Sequence, residues 1–589
     1  MEQNLEEEKN KEIEYFGNLK KAINKKIEEF KQISIQSKEQ FNTDQFKAIE
    51  AVLKRTLSFE ELNVWSHLLE QRVGFGFKFD EAPHLKDATK IPVLVKDNAR
   101  SFAAEKVPSL IDNGKTPPNH VLIVGDNWQV LQNLLITCYK SIDIIYIDPP
   151  YNTGGSDLTY KDKFSKNAWL NMMKQRIEIA YQLLTDDGVI FVSLDDNMQA
   201  YFKVMMDGIF GEENFICNFI WEKNYSLKNN NKFVSENHDY VLCYAKNKVN
   251  IDHFEKLART EESDSHYKYD DHDGRGPYRL DNLTASRVQR GYSIFHNGIE
   301  YKEPSPSGWR YPKDTMDQLI KDNYIYFPKN PKRHPSFKRY LNEVGGLISP
   351  TILSFNKVGQ TDENAKILDS IIGLNENKER KFNYPKGTKL IKYLINLCPK
   401  KDHQVILDFF AGSGTTGQAV LELNKEDNGD RQFILCQIDT SKDNNQNEED
   451  KEVPNDGSDN QITLDDLEKL DTKASTKMNI AYDVCYERLY RIAKGLGTNG
   501  ETFDWLKKKN ERNQQNEAFF NALDVYYINE LDVSLKNNPH SEYLSKINFD
   551  IYNKIYHDTH LRDRAHGELN LNIDNAPTIL YPLLDHIEQ

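Results

Sequence analysis

The chain has 589 residues, 38% of them hydrophobic and 28% charged, enough for roughly two to four domains with sizeable cores. No apolar run approaches a membrane span, and the charged opening from Met1 to Glu8 lacks an apolar stretch of signal-peptide length, so a cytoplasmic, membrane-free protein is expected. The formal net charge of -15 argues against a uniformly basic nucleic-acid binder, because duplex affinity comes from Lys and Arg.

In chain order, Ile13, Phe16, Leu19, Ile23, Ile27 and Phe30 recur at helical spacing and predict a helical region over residues 1–110. Gly114-Lys115-Thr116 has the end of a phosphate-binding loop, but Ser109 stands where that loop needs glycine and Pro117-Pro118 follow where its helix would begin. It reads as a surface turn. A first core half is expected over 111–227, where the turn Gly125-Asp126-Asn127 leads to the apolar run Ile142-Asp143-Ile144-Ile145-Tyr146-Ile147, of strand type. Asp148-Pro149-Pro150-Tyr151-Asn152-Thr153-Gly154 closes that run. The periodicity then predicts helix over 167–185, strand over 189–194 and helix over 200–210, an alternation that argues for a doubly wound, mostly parallel sheet.

The tetrapeptide Asp148-Pro149-Pro150-Tyr151 suits one particular chemistry. The exocyclic nitrogen of adenine delocalises its lone pair into the ring and must be localised before it can attack. A carboxylate at Asp148 and the carbonyl of Pro149 can each accept one of the two amino hydrogens, biasing the nitrogen toward tetrahedral geometry and offsetting the positive charge that builds on it. Tyr151 would stack on the base, and the two prolines fix the loop so that little ordering entropy is lost when the base arrives. The plain alternative is a strand exit, since Asp and Pro are common turn formers.

Residues 228–379 form a long stretch containing the basic run Pro328–Tyr340, whose Lys329, Lys332, Arg333, Lys338 and Arg339 are interleaved with aromatics and free of acids. Such residues suit phosphate contacts. Over 380–500 a second core half is expected, with strand Val405 to Phe410 (Asp408 within it) followed by Ala411-Gly412-Ser413-Gly414-Thr415-Thr416-Gly417 and a helical pattern. Glycines there let the backbone approach a ligand, and the helix start offers amide hydrogens to an anion, which suits the adenosine and carboxylate of S-adenosyl-L-methionine. Gly412, Gly414 and Gly417 also fit the dinucleotide Gly-x-Gly-x-x-Gly turn, so a nicotinamide or flavin site stands as the rival. No such oxidoreductase accounts for Asp-Pro-Pro-Tyr. The acidic segment 441–470 has the composition of a solvated loop, and residues 501–589, rich in Asn, Tyr and Asp, give a mixed pattern.

C5-cytosine methylation is disfavoured, because it needs a thiolate, commonly in a Pro-Cys pair, and none of the six cysteines follows a proline. The cysteines form no Cys-x-x-Cys pair, and no metal is expected.

Asp148-Pro149-Pro150-Tyr151, together with Asp408-Phe409-Phe410-Ala411-Gly412-Ser413-Gly414-Thr415-Thr416, resembles the N6-adenine and N4-cytosine DNA methyltransferases, in the motif order of their beta group. Further segments, His238 to Asn247, Gly308 to Tyr311, Lys338 to Leu341 and Tyr384 to Ile391 among them, extend the resemblance over roughly residues 120–500, to the modification (Mod) subunits of type III restriction-modification systems. The resemblance implies an α/β fold: a Rossmann-like doubly wound methyltransferase sheet with an inserted target-recognition domain and helical N-terminal and mixed C-terminal extensions. It implies catalytic roles for Asp148, Pro149, Pro150 and Tyr151, and S-adenosyl-L-methionine held by Asp126, Lys389, Asp408, Phe410, Ala411, Gly412, Ser413, Gly414 and Thr415. Gln437 stands where many of these enzymes place the acid that grips the ribose, leaving Gln437 or Asp439 for that contact. Asp at the head of the tetrapeptide favours adenine. The implied partners are double-stranded DNA, bound through the region of the basic run, a second copy in a homodimer, and a restriction (Res) helicase-nuclease subunit. A solitary adenine methyltransferase and a non-catalytic DNA-binding subunit are the other readings.

Overall fold

The computed structural model describes residues 15, 17–28, 53–54, 58, 62, 90–103, 119–153, 165–225, 233–286, 290–330, 332–440, 478–507, 518–519, 521–532 and 547–560. The chain divides into two compact units, Met1–His84 and Leu85–Gln589. In the first, residues 17–28 are helical and Leu19, Ile23 and Ile27 are buried, as their four-residue spacing requires of one helix face. Ile13, Phe16 and Phe30 lie outside the described residues.

The second unit is built on one mixed sheet of ten described strands. In chain order they begin with β1 (Lys90–Lys96), β2 (Asn119–Val124), β3 (Ile142–Ile147), β4 (Leu184–Leu194), β5 (Phe215–Glu222) and β6 (His238–Ala245). Between β6 and the return to the sheet lies a separate small layer, with β7 (Tyr278–Asn282), β8 (Thr284–Ala285), β9 (Ile294–His296), β10 (Ile299–Tyr301), β11 (Gly308–Trp309), β12 (Ile325–Tyr326) and β13 (Ser336–Tyr340). The chain then supplies β14 (Ile352–Leu353), β15 (Gln404–Asp408), β16 (Arg431–Gln437) and β17 (Ala522–Asp532). The order across the large sheet is β1-β17-β2-β16-β15-β3-β4-β6-β5-β14. The centre, from β17 to β4, is parallel.

Central strands covered on both faces read as apolar runs, and β2, β3, β15 and β16 are buried along nearly their whole length, with apolar residues at their centres and most of their polar residues at the ends. Alternate residues of neighbouring strands, such as Ile144, Tyr146, Val189, Phe191, Ile406 and Leu435, join one core cluster. Helices α1 (Asn127–Thr137), α2 (Lys166–Leu183) and α3 (Gln199–Phe210) pack in sequence on one another. After α4 (Lys313–Lys321), which belongs to the small layer, α5 (Thr361–Ile372), α6 (Thr388–Leu397), α7 (Thr415–Asp427) and α8 (Glu487–Lys494) supply apolar faces to the core cluster that holds Ile144 and Ile406. The last described helix is α9 (Phe549–Thr559), against α1. The doubly wound α/β architecture expected from the sequence is the one observed. No helix among the described residues is long and apolar enough to cross a membrane.

The sheet recruits segments from regions expected to stand outside it. β1 falls within 1–110, and it pairs antiparallel with β17, which falls within 501–589 and runs parallel to β2. Pro92 lacks a donor and is tolerated because β1 is an edge strand. Likewise β6 and β14, inside 228–379, are sheet strands, so the excursion proper runs from the end of β6 to β14. That excursion has its own core of Leu283, Ile294, Tyr301, Trp309, Met316, Ile325 and Phe337.

Candidate active site

β3 and β15 are parallel neighbours, with Ile144 opposite Ile406 and Ile145 opposite Leu407, although more than 250 residues separate them in sequence. Their register is fixed by a polar pair inside the sheet. Asp143, buried in β3, accepts the Val405 amide at 2.8 Å and the Lys401 ammonium at 2.7 Å. Both strands end at the same level, so the loops that follow them meet beyond their carboxyl ends, the usual ligand position of such sheets. They wall one cavity of about 730 Å³, lined by Asp148, Pro149, Pro150 and Tyr151 on one side and by Phe410, Ala411, Gly412, Ser413 and Thr415 on the other.

The Asp-Pro-Pro-Tyr loop is held from outside. The Trp169 indole of α2 donates to the Pro150 carbonyl at 2.7 Å, whereas the Pro149 carbonyl accepts no hydrogen bond from a described residue. Asn152 adopts a left-handed conformation, turning the chain away. Burial raises the Asp148 carboxyl above the usual carboxylate range, with Lys386 pulling the other way. Lys386 Nζ lies 3.4 Å from Asp148 Oδ1, yet that oxygen is buried and has no hydrogen-bond partner. The same ammonium donates to Tyr151 Oη and to Asp239 Oδ2 (3.4 Å), and it sits 4.8 Å above the Tyr151 ring. Asp239, 2% exposed at the start of β6, receives Lys223 on its other oxygen at 2.7 Å. Tyr151 therefore stands in the cavity wall with its hydroxyl tied to an ammonium.

The glycine turn is built for close backbone approach. Gly412 and Gly414 have φ of +53° and +75°, and a Cβ on Gly414 would lie 3.1 Å from Cys485 Sγ. Asp408 braces the turn by accepting the Phe410 amide and the Thr416 hydroxyl, and its burial pushes the carboxyl up to about 7. Fully buried Arg488 donates to Ser413 O (3.1 Å), Thr415 Oγ1 (2.7 Å) and Gln418 Oε1 (2.8 Å), tying the turn to the first turn of α7. Gly414 itself lies behind the wall rather than in it.

Asp126 also lines the cavity. It caps α1, accepting the Trp128 amide at 2.9 Å, and pairs with Arg176 at 3.2 Å. Gln437 lines the cavity and accepts the Gly412 amide at 2.7 Å, while Asp439 stands outside the wall and accepts from Asn479. Lys389 is not brought to the site: it is on the outer face of α6, 2.6 Å from Glu363. The buried face of that helix is taken by Leu390, Ile391 and Leu394, and the lysine of this segment that reaches the cavity is Lys386, just before the helix.

Of the basic run, Lys329, Lys332 and Arg333 are exposed. Lys338 is not: it is buried in β13, 2.6 Å from Asp271 and 2.8 Å from Asn323, so its charge serves the fold of the small layer. Arg339 is half-buried beside Asp281 at 3.2 Å. Sequence reasoning named Lys389 in a segment whose Lys386 is the one at the cavity, and it missed Asp239, Lys223 and Arg488. The one local signal was Asp239 itself, a carboxylate opening an apolar strand, which implies a partner that the sequence does not name.

A Rossmann-like sheet whose glycine turn faces an Asp-Pro-Pro-Tyr loop across one cavity defines an α/β protein of the nucleic-acid methylase type. Residues 142–444, just over half the chain, match the N6/N4 methyltransferase family, described as DNA methylase, and the chain belongs to that family. Residues 26–144 match a second family, described only as an uncharacterised conserved protein. The chain is 34% identical to the type III restriction-modification enzyme StyLTI Mod subunit of Salmonella typhimurium, over 61% of this chain and 60% of that one. It is 28% identical to the EcoP15I Mod subunit of Escherichia coli, over 60% and 65%. Less than two thirds of either Mod subunit is therefore spanned. The type II methyltransferase M.KpnI of Klebsiella pneumoniae is 30% identical over 54% of this chain and 80% of its own.

Proposed function

We propose that this chain transfers a methyl group from S-adenosyl-L-methionine to the N6 amine of an adenine flipped out of double-stranded DNA. The observation that carries this reading is the convergence of Asp148 and the Gly412 turn on one cavity. Its volume is within the range of small-molecule sites. The donor fits the residues present: the left-handed glycine at 412 leaves backbone room, Phe410 offers an apolar wall, and Gln437 and Asp126 offer polar atoms beside them. When bound, the donor supplies an electrophilic methyl group.

The chain's own residues do the rest. The Asp148 carboxylate, whose side chain is about a quarter exposed, and the Pro149 carbonyl accept the two amino hydrogens and localise the nitrogen lone pair. Their charge and dipole offset the positive charge that grows on the nitrogen, so no covalent enzyme intermediate is needed. The Pro150 carbonyl takes no part, because Trp169 occupies it. Extrusion of the base costs a few kcal/mol, repaid by stacking on the open side of Tyr151 and by these hydrogen bonds.

The relatives named as Mod subunits support a place in a type III restriction-modification system, and the reading extends to a cytoplasmic homodimer working with a restriction subunit. The similarity to M.KpnI favours a second reading, a methyltransferase acting without such a partner. Transfer of labelled methyl to mixed-sequence duplex DNA tests the activity. Asp148→Ala should lose transfer while still binding the donor, and near-normal transfer by that variant refutes the assignment. Light scattering of the chain, alone and with the product of an adjacent helicase-nuclease reading frame, separates the two assemblies.

A further inference from the structure

We propose that Lys386 is a positioning residue: clamped by Asp239, its ammonium keeps the Asp148 side chain charged and held toward the target amine. The inference rests on the adenine-methylation reading and deepens it.

A buried carboxyl prefers its neutral form, and a neutral Asp148 would lose an acceptor just where one is needed. Something must hold it ionised without using up its lone pairs. Lys386 meets both conditions. Its Nζ is 3.4 Å from Asp148 Oδ1, close enough for strong attraction, and that oxygen is the one closed to solvent, so the exposed quarter of the side chain is left for an incoming N–H. The lysine is itself fixed. Asp239 Oδ2 lies 3.4 Å away, Tyr151 Oη accepts from it, and the Trp221 ring centroid is 5.0 Å from its charge. Asp239 is held in turn by Lys223 at 2.7 Å on its other oxygen, so two acids and two ammonium groups balance in a pocket where net charge would be costly.

The other titratable groups facing Asp148 reinforce the need. Asp239 from β6 and Asp408 from the end of β15 are acids that disfavour its ionisation, and Tyr146 from β3 and Tyr151 from its own loop are neutral phenols held well above their ordinary range by burial. Among the described residues, Lys386 is the cation that pairs with it. Burial works against the lysine's own charge, but Asp148 and Asp239 outweigh it and raise its pKa. An alternative role, gripping the carboxylate of the methyl donor, is told apart by donor affinity.

The test uses the full chain in two readouts. Thermal midpoints of wild type and Asp148→Asn, compared from the ordinary carboxylate range upward in pH, differ by a step where Asp148 ionises, whether or not the protein is active. In a Lys386→Met background that step should move up by about one unit or more, the usual effect of removing an opposite charge at this range. The acid limb of the single-turnover methyl-transfer profile should move with it. Lys386→Arg should restore most of both, and donor binding by calorimetry should be unchanged. Lys386→Gln replaces the methionine variant should the latter not fold. A step that does not move overturns the proposal, and so does a loss of donor affinity with the step in place, which would make Lys386 a donor ligand. A moved step in a protein that methylates no DNA at any pH supports the positioning and refutes the functional reading instead.

Discussion

Replacing Gly414 with alanine should cost more stability than the same change at Gly412, and the structure says by how much. Both residues are left-handed, at φ of +75° and +53°, and an L-residue there costs about 1–2 kcal/mol. They differ in what a methyl would meet. At Gly412 the nearest atom is Phe382 Cζ at 3.6 Å, ordinary contact, so the backbone cost stands alone. At Gly414 the new carbon would sit 3.1 Å from Cys485 Sγ and 3.4 Å from the Cys485 carbonyl. Cys485 is fully buried in a turn of π-helix (Ile480–Tyr486) leading into α8 and has little freedom to retreat, so crowding adds about 1–3 kcal/mol. Gly414→Ala should therefore lose about 2–5 kcal/mol and Gly412→Ala about 1–2, from the sum of these two contributions. Differential scanning fluorimetry of the two variants reads the order directly. In the Gly414→Ala protein, a Cys485→Ala change should recover the crowding part and leave the backbone part. Calorimetric titration with S-adenosyl-L-methionine should rank the two variants the other way, because Gly412 faces the cavity and Gly414 lies behind it. Equal destabilisation at the two positions, or a larger loss at Gly412, would refute the reasoning.

Two further outcomes follow from buried charge. The Asp408 carboxyl titrates at about 7 in the folded protein and near its ordinary value when unfolded, so the folded state binds the proton more tightly. Stability must then fall as pH rises from the ordinary carboxylate range to about 7 and level off above it. Asp408→Asn lacks that dependence, so its midpoint relative to wild type should climb over this window, and a pH-independent difference would exclude the buried acid as the cause. Within the basic run, Lys338→Ala strands Asp271 and should destabilise the small layer by about 1–3 kcal/mol, a buried-pair cost reduced because Asp271 is partly exposed, with DNA affinity intact in the folded fraction. Lys332→Ala with Arg333→Ala should leave stability alone and lower the salt slope of DNA binding by about two, as measured by fluorescence anisotropy over a salt series. A reversed pattern would relocate the DNA contacts.

How much of the site was legible in sequence depended on how local the cause was. The Asp148 loop and the Gly412 turn could be read because their chemistry lies in consecutive residues: two prolines, two left-handed glycines and the strands that deliver them. Lys386 and Lys389 could not be told apart, since both lie in one short segment and only the phase of α6 sends Lys389 to Glu363. The same holds for Lys338. Five basic residues in a run look equivalent until β13 turns one of them inward to Asp271. β1 and β17 were missed as sheet members because β1 is an edge strand interrupted by Pro92, and β17 takes its place only from pairing with β1 and β2, hundreds of residues away.

By itself, then, the sequence determined the class of sheet, the loop chemistry at both ends of the cavity and the family they imply, because these rest on backbone propensities and side chains acting within a few residues. Only the tertiary structure decided that β3 and β15 lie side by side, that Asp239 and Lys386 close on Asp148, and that Gln437 rather than Asp439 faces the cavity. Those outcomes depend on which distant segments share a buried environment, and burial is set by the packing of the whole sheet and its helices, with no local pattern to announce it.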